Sequence, residues 1–298
     1  MKNKTDVKQQ CDLAEEHIRK GQYKKGISIL QGLVETYPED DSLIMSLAWA
    51  YKDSGNTDEA ISCLEALFER ELKREVFVGF AFDELVRIYI DECHYEKLVC
   101  MCERVVALHP DDDSLLITLG DACLRAAKKD RAIEVFTLLS ESDPDSAMIF
   151  CYLGNAHIAA GNLEEGVAAY EKAVIIDSSD RNIFYNKLVG YLFQYGHYHK
   201  AEEVLRKSIT INGEHPANLC SLGDILIKQG KVEEGVASYE KAAKLDVEFS
   251  GSYYNRLGNM LAQENRHREA IAAFNKAVAT DPENPFYRRR LEELYNKM

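Results

Sequence analysis

Eight cysteines and eight histidines are the side chains of this 298-residue sequence best suited to ligate a metal or act as a nucleophile. Their spacing favours neither role. Cys100 and Cys102 stand two apart, so a helix turns them in different directions, which is poor geometry for shared ligation. Cys93-His94 and His197-Tyr198-His199 fall at expected turns, and neither has an obvious second pair to complete the four ligands of a structural zinc site. Cys102 and Cys123 fall at apolar-face positions, where cysteine acts as a small hydrophobe. The acidic runs Asp111-Asp112-Asp113 and Glu233-Glu234 sit at helix starts, where they complement the helix dipole without any catalytic task. No phosphate loop, nucleophile elbow or HExxH pattern is present. The sequence therefore predicts a chain with no catalytic residues, no bound metal and no cofactor.

The elements that position these side chains are helical. In Phe150–Ser179, residues Phe150, Leu153, Gly154 and His157 share one helical face, Gly161-Asn162 breaks the helix, and Gly166, Tyr170 and Ala173 recur on a second face. Small residues at Gly154, Gly166 and Ala173 let the two helices approach, with Tyr170 and Leu153 filling the space beside them. The rest of the chain repeats this pattern. Hydrophobic residues make up 46% of the composition, enough for a core, and only 6 prolines argue against long irregular regions. The net charge of −14 disfavours nonspecific nucleic-acid binding, which depends on neutralising phosphates. It suits a solvated surface or a basic partner. MKNKTDVKQQ contains no apolar signal region, no run of about 18 apolar residues occurs, and no lipid-attachment motif is evident, so the expected location is cytoplasmic.

Set in a frame of about 34 residues, the pattern resembles the tetratricopeptide repeat, with its Leu, Gly or Ala, aromatic, Gly, Ala and Pro at fixed points. Units are expected at 7–40 (Leu13-Ala14, His17, Gly21, Gly26, Pro38), 41–74 (Leu47-Ala48, Tyr51, Gly55, Ala60), 79–112 (Leu85-Val86, Tyr89, Cys93, Pro110) and 113–146 (Leu119-Gly120, Ala132, Phe136, Pro144). Four more follow at 147–180, 182–215 (Leu188-Val189, Gly196, Ala201), 216–249 (Leu222-Gly223, Gly230, Gly235, Tyr239) and 251–284 (Leu257-Gly258, Ala270, Phe274, Pro282). Segment 285–298 reads as a capping helix, apolar at Leu291 and Tyr295 and polar at Arg288, Arg289, Arg290, Glu292, Glu293 and Lys297. Glu75–Val78 are extra to the frame, and their apolar setting predicts a packed bend in the stacking. The resemblance implies an all-α, right-handed superhelical solenoid of antiparallel helix pairs forming one domain over 1–298.

By the same resemblance, the first helix of each unit lines a concave groove that holds a partner segment. Unit positions 2, 5, 6, 9, 12 and 13 are expected to face it, because positions 4, 7, 8 and 11 pack. The partner-binding candidates are Trp49, Phe80, Asp83, Arg87, Asp121, Tyr152, Asn155, Asn186, Phe193, Asp224, Asn255 and Asn259. Met45, Met148, Cys151, Ile158, Ile183, Cys220, Ile227 and Arg256 fall at the same positions. Trp49, the only tryptophan, is a candidate anchor. The carboxamides of Asn155, Asn186, Asn255 and Asn259 could pair with an extended peptide's C=O and N–H groups. The family's carboxylate clamp is not reproduced, since Cys151, Lys187, Ala217 and Ser221 stand where it needs Lys, Asn, Lys and Arg. The asparagine ladder of sugar-transferase relatives is absent too.

The function these features imply is a noncatalytic interaction scaffold or adaptor for a protein or peptide segment, basic or apolar in character. Neither nucleic acid nor membrane is expected as a partner, and self-association through the ends stays open. Alternatives are a chaperone or escort for a secretion or assembly substrate, suited by Ile158, Ile183, Phe193 and Ile227, and a regulatory module of a separate enzyme.

Overall fold

The computed structural model describes residues 4–74 and 79–296. The expected bend at Glu75–Val78 and the polar contribution of Lys297 lie outside the described residues. Two compact parts are present, Met1–Lys128 and Lys129–Met298. The first holds α1 (Lys4–Arg19), α2 (Tyr23–Thr36), α3 (Asp41–Asp53), α4 (Thr57–Lys73), α5 (Phe80–Asp91), α6 (Tyr95–Leu108) and α7 (Asp113–Arg125). The second holds α8 (Lys129–Ser142), α9 (Ala147–Ala160), α10 (Leu163–Ile176), α11 (Arg181–Gln194), α12 (Tyr198–Asn212), α13 (Pro216–Lys228), α14 (Val232–Leu245), α15 (Ser250–Gln263), α16 (His267–Thr280) and α17 (Pro285–Tyr295). No strand occurs among the described residues, so the chain is all-α.

Short-range chemistry sets the helix ends. Asp112 accepts hydrogen bonds from the backbone N–H groups of Ser114 and Leu115 at 3.0 and 3.1 Å, capping α7. Asp40 caps α3 through Ser42 N–H at 3.1 Å, and Asn284 caps α17 through Phe286 N–H at 3.1 Å. Each satisfies a donor that the helix itself leaves open. Pro216 and Pro285 open α13 and α17, where a missing N–H does no harm. The turn inside each hairpin uses one left-handed residue. Gly161 fills it at φ 91°, but Cys93 and Ala127 do so at φ 57°, where their Cβ atoms meet the carbonyl crowding that glycine avoids. The turn at Cys93-His94 is thus a backbone reversal, with Tyr95 Oη hydrogen-bonded to Cys93 Sγ at 3.2 Å.

Packing within several of the hairpins depends on glycine. A Cβ on Gly154 would stand 2.7 Å from the Tyr170 ring and 3.0 Å from the Gly166 carbonyl oxygen. One on Gly166 would stand 2.6 Å from Ile158 and 3.1 Å from the Gly154 carbonyl. The two backbones therefore touch where α9 crosses α10, and Tyr170 and Ile158 close over the crossing on either side. Gly223 and Gly235, with Tyr239 and Ile227, repeat the arrangement between α13 and α14. The buried core of the second part runs through Phe150, Tyr170, Leu188, Leu205 and Leu226, and through Leu219, Tyr239, Leu257, Phe274 and Leu294. Ala14, Leu30, Leu33 and Leu47 belong to the core of the first. Burying a side chain of this size contributes about 1.5–3 kcal/mol.

Ion pairs run between successive second helices: Arg104–Glu69 at 2.5 Å, Lys207–Glu171 at 2.5 Å and Lys276–Glu240 at 2.6 Å. Their exposure limits each to about 0–1 kcal/mol. Glu202 is different. Its side chain is 15% exposed and accepts from Arg206 at 2.8 Å and Lys231 at 2.9 Å. Burial alone would raise its pKa, but hydrogen bonds from Lys231, Arg206 and Gln229 outweigh that and bring it down from 4.5 to about 2. A carboxylate depressed by folding contributes stability above its unfolded pKa and loses it as pH falls through the folded value. Urea titrations should therefore show stability declining from about pH 4.5 toward pH 2, and Glu202→Gln should reduce that decline. An unchanged acid slope in the variant would show that other carboxylates carry it.

Candidate partner-binding face

The first-helix positions divide by what packs behind them. Tyr170 donates its hydroxyl to Asn155 Oδ1 at 2.5 Å, and Tyr239 donates to Asp224 Oδ1, each pair fifteen residues apart in sequence. Asn155 and Asp224 are each 7% exposed. Both were expected to face a partner, and the structure corrects this: they are the buried acceptors that satisfy a core tyrosine, whose hydroxyl would otherwise be desolvated without a partner. Burial and, for Tyr239, the adjacent Asp224 push both phenols far above the usual tyrosine range. Wherever unit position 24 holds Leu, Cys or Phe instead, position 9 stays out of the core. Trp49 and Asp121 are exposed, Arg87 pairs with Glu84 at 3.1 Å, and Asn259 is half-buried.

Other expectations change for related reasons. Ile158 and Ile227 are buried because they fill the space over Gly166 and Gly235. Met45, Cys151 and Cys220 are buried too, and burial pushes both of these thiols up to about 11. Cys102 rises to about 12 for the same reason, in keeping with its packing position. Cys100 is exposed.

In the first part, three large apolar side chains stand in water on first helices: Leu13 on α1, 46% exposed, and two aromatics, Trp49 on α3, 49% exposed, and Phe80 on α5, 65% exposed. Glu84 joins α3 and α5, paired with Lys52 of α3 at 3.3 Å and Arg87 at 3.1 Å. Asp83 is exposed beside them, and on α7 Asp121 pairs with Arg125 at 2.7 Å. In the second part, Tyr152 stacks on Phe136 with ring centroids 5.5 Å apart, and Phe193 meets Tyr198 edge-on at 5.3 Å. Both rings are partly spent on packing. Asn255 is half-buried, its Oδ1 enclosed with no hydrogen-bond partner among the described residues.

A cavity of about 350 Å³ opens on the first helices of the second part, where Asn186, Val189, Gly190 and Phe193 of α11 face Ala217, Asn218, Ser221, Asp224 and Ile225 of α13, with Arg256 of α15 at its edge and Leu205 beneath. Arg256 Nη2 and Nε bond to Asp224 Oδ2 at 2.5 and 3.1 Å. Of the expected partner-binding residues, this site brings together Asn186, Phe193 and Asp224. Trp49, Phe80, Asp83, Arg87 and Asp121 belong to the first part. The sequence reading leaves out Gly190 and Asn218. Gly190 carries a legible signal, a glycine interior to a helix, whereas Asn218 sits at unit position 3 and carries none. Among the described residues no group of three or more His, Cys, Asp and Glu side chains is placed to hold a metal ion, and no helix is long and apolar enough to cross a membrane.

Tetratricopeptide repeat models match residues 117–181 and 220–285, and a second such model matches 17–76. The sequence is similar to tetratricopeptide repeat protein 21A of Homo sapiens, 22% identical over 192 residues, covering 63% of this chain and 14% of that protein. It is likewise similar to tetratricopeptide repeat protein 21B of Xenopus laevis, 22% identical over 201 residues, covering 66% of this chain and 15% of that protein. The chain thus spans about a seventh of the length of these curated relatives. Among solved structures, a tetratricopeptide repeat protein from Parabacteroides merdae aligns over 98% of this chain and 99% of its own, with 12% identity and a TM-score of 0.42. The matched models take in most of the chain, and the described residues form the helix pairs such repeats require: the chain belongs to the tetratricopeptide repeat family.

Proposed function

We propose that this chain is a noncatalytic protein–protein interaction scaffold that holds a segment of a partner protein along the exposed face of its first helices. The observation that carries this reading is the pair of aromatic side chains, Trp49 and Phe80, kept in water on α3 and α5 while the neighbouring positions pack. An exposed aromatic on a rigid helix is a low-entropy anchor, since only two side-chain torsions need to be fixed on binding. Membership of a repeat family built for extended contact surfaces supports the same reading.

The test is capture from source lysate by wild type and by Trp49→Ala/Phe80→Ala, identified by mass spectrometry. Specific partners should be lost or reduced at least tenfold with the variant, whose unfolding free energy should stay within about 0.5 kcal/mol of wild type, as for exposed positions generally. Equal recovery on both baits would remove the α3–α5 face from the binding surface. A large loss of stability would instead make the two aromatics structural.

A further inference from the structure

We propose that the cavity at Gly190 is an anchor hole for one large uncharged side chain, such as Leu, Met, Phe or Tyr, of the bound protein segment; this rests on the scaffold reading above. Position 9 of the other repeats in the second part carries Asn155, Asp224 and Asn259, all with polar side chains, so Gly190 is the one position there without a side chain. Nothing in the fold requires glycine there. Gly190 lies inside α11, it is not among the left-handed glycines, and a Cβ built on it meets no atom within 4 Å. Glycine within a helix is less stable than alanine, so this residue weakens α11 without relieving any packing conflict. Gly32 in α2 shares that freedom on an exposed helix surface, but Gly190 opens onto a cavity.

The walls define what fits. Val189, Phe193 and Ile225 supply apolar surface. Asp224 has both oxygens engaged, one by Tyr239 and the other by Arg256. The only charges at the cavity thus cancel, so a charged side chain entering it would lose its hydration without gaining a free counterion. An uncharged side chain avoids that penalty. Among the described residues, no side-chain hydrogen bond engages the carboxamides of Asn186 or Asn218, which flank the opening on α11 and α13. They are placed to meet the backbone C=O and N–H groups on either side of an inserted residue. The volume lies at the lower end of the range of about 300–1,000 Å³ typical of ligand pockets, so one side chain with its adjoining backbone fits better than a folded surface.

The experiment uses the full chain and an array of random peptides about twelve residues long as the probe, with Gly190→Ala and Gly190→Leu compared to wild type. Wild type should select peptides sharing one large uncharged residue. Gly190→Leu, whose side chain fills the hole, should weaken those peptides at least tenfold while its Tm equals or exceeds that of wild type. Gly190→Ala should give a smaller loss, also with no fall in Tm. Peptides bound equally by wild type and Gly190→Leu would overturn the anchor hole and leave the scaffold reading standing. If wild type selects no peptides, both fall. A lower Tm for Gly190→Leu would shift the decision to Gly190→Ala, where full retention of peptide binding or a lowered Tm overturns the proposal.

Discussion

Gly223→Val should destabilise the fold by about 3 kcal/mol or more, at or above the usual upper end for overpacking. The first added atom already meets the Tyr239 ring at 2.5 Å and the Gly235 carbonyl oxygen at 3.0 Å. Neither obstacle yields easily. The carbonyl belongs to the backbone of α14, and the ring is fully buried and tied by its hydroxyl to Asp224. Relief would require α13 and α14 to separate, which opens the core that they share. Urea unfolding of the variant should show a midpoint far below wild type, and Gly223→Val/Tyr239→Ala should lose less than the sum of the two single changes, because removing the ring removes one of the two clashes. Strict additivity would mean that the ring is not the obstacle. Gly190→Ala makes the contrast plain: that glycine has open space beside it, and its replacement should not weaken the fold.

Asp224→Ala should cost about 2–3 kcal/mol, for a different reason. One carboxylate serves two donors, the Tyr239 hydroxyl and the Arg256 guanidinium. Removing it strands the hydroxyl in the core. The effect on Arg256 is smaller, since that side chain is 48% exposed and can regain water, which keeps the total below the cost of breaking a fully buried pair. Asn155→Ala strands only the neutral Tyr170 hydroxyl and should cost less, about 1–2 kcal/mol. Asp224→Ala in a Tyr239→Phe background should be milder by about 1 kcal/mol, because no hydroxyl is left to strand. Equal losses in the two backgrounds would show that the tyrosine is satisfied some other way. Asn155 is therefore unsuitable as a test of binding: its substitution would weaken the fold whatever its effect on a partner.

The alternation of Gly154 with Gly166 and Tyr170, and of Gly223 with Gly235 and Tyr239, was enough to determine the helix pairs, their turns and their register, because periodic apolar spacing and turn residues are local properties of the chain. Helix starts are set by local signals of the same kind, such as the Asp112 cap of α7 and Pro216 at the first turn of α13. The absence of a recognisable catalytic motif was also legible, since such motifs depend on residue types at short fixed spacings. Which inward positions remain free for a partner was decided only by tertiary structure. Asn155 and Asn259 occupy the same unit position, yet one is buried against the Tyr170 hydroxyl and the other is half-buried in a repeat that carries Phe274, which has no hydroxyl to satisfy, where Tyr170 stands. Ile158 and Ile183 are equally apolar, but only Ile158 has a glycine on the facing helix whose missing side chain leaves it a place in the core. Helical periodicity assigns a residue to a face. Whether that face is open depends on the size and hydrogen-bonding needs of side chains on a neighbouring helix, and these meet only when the chain folds.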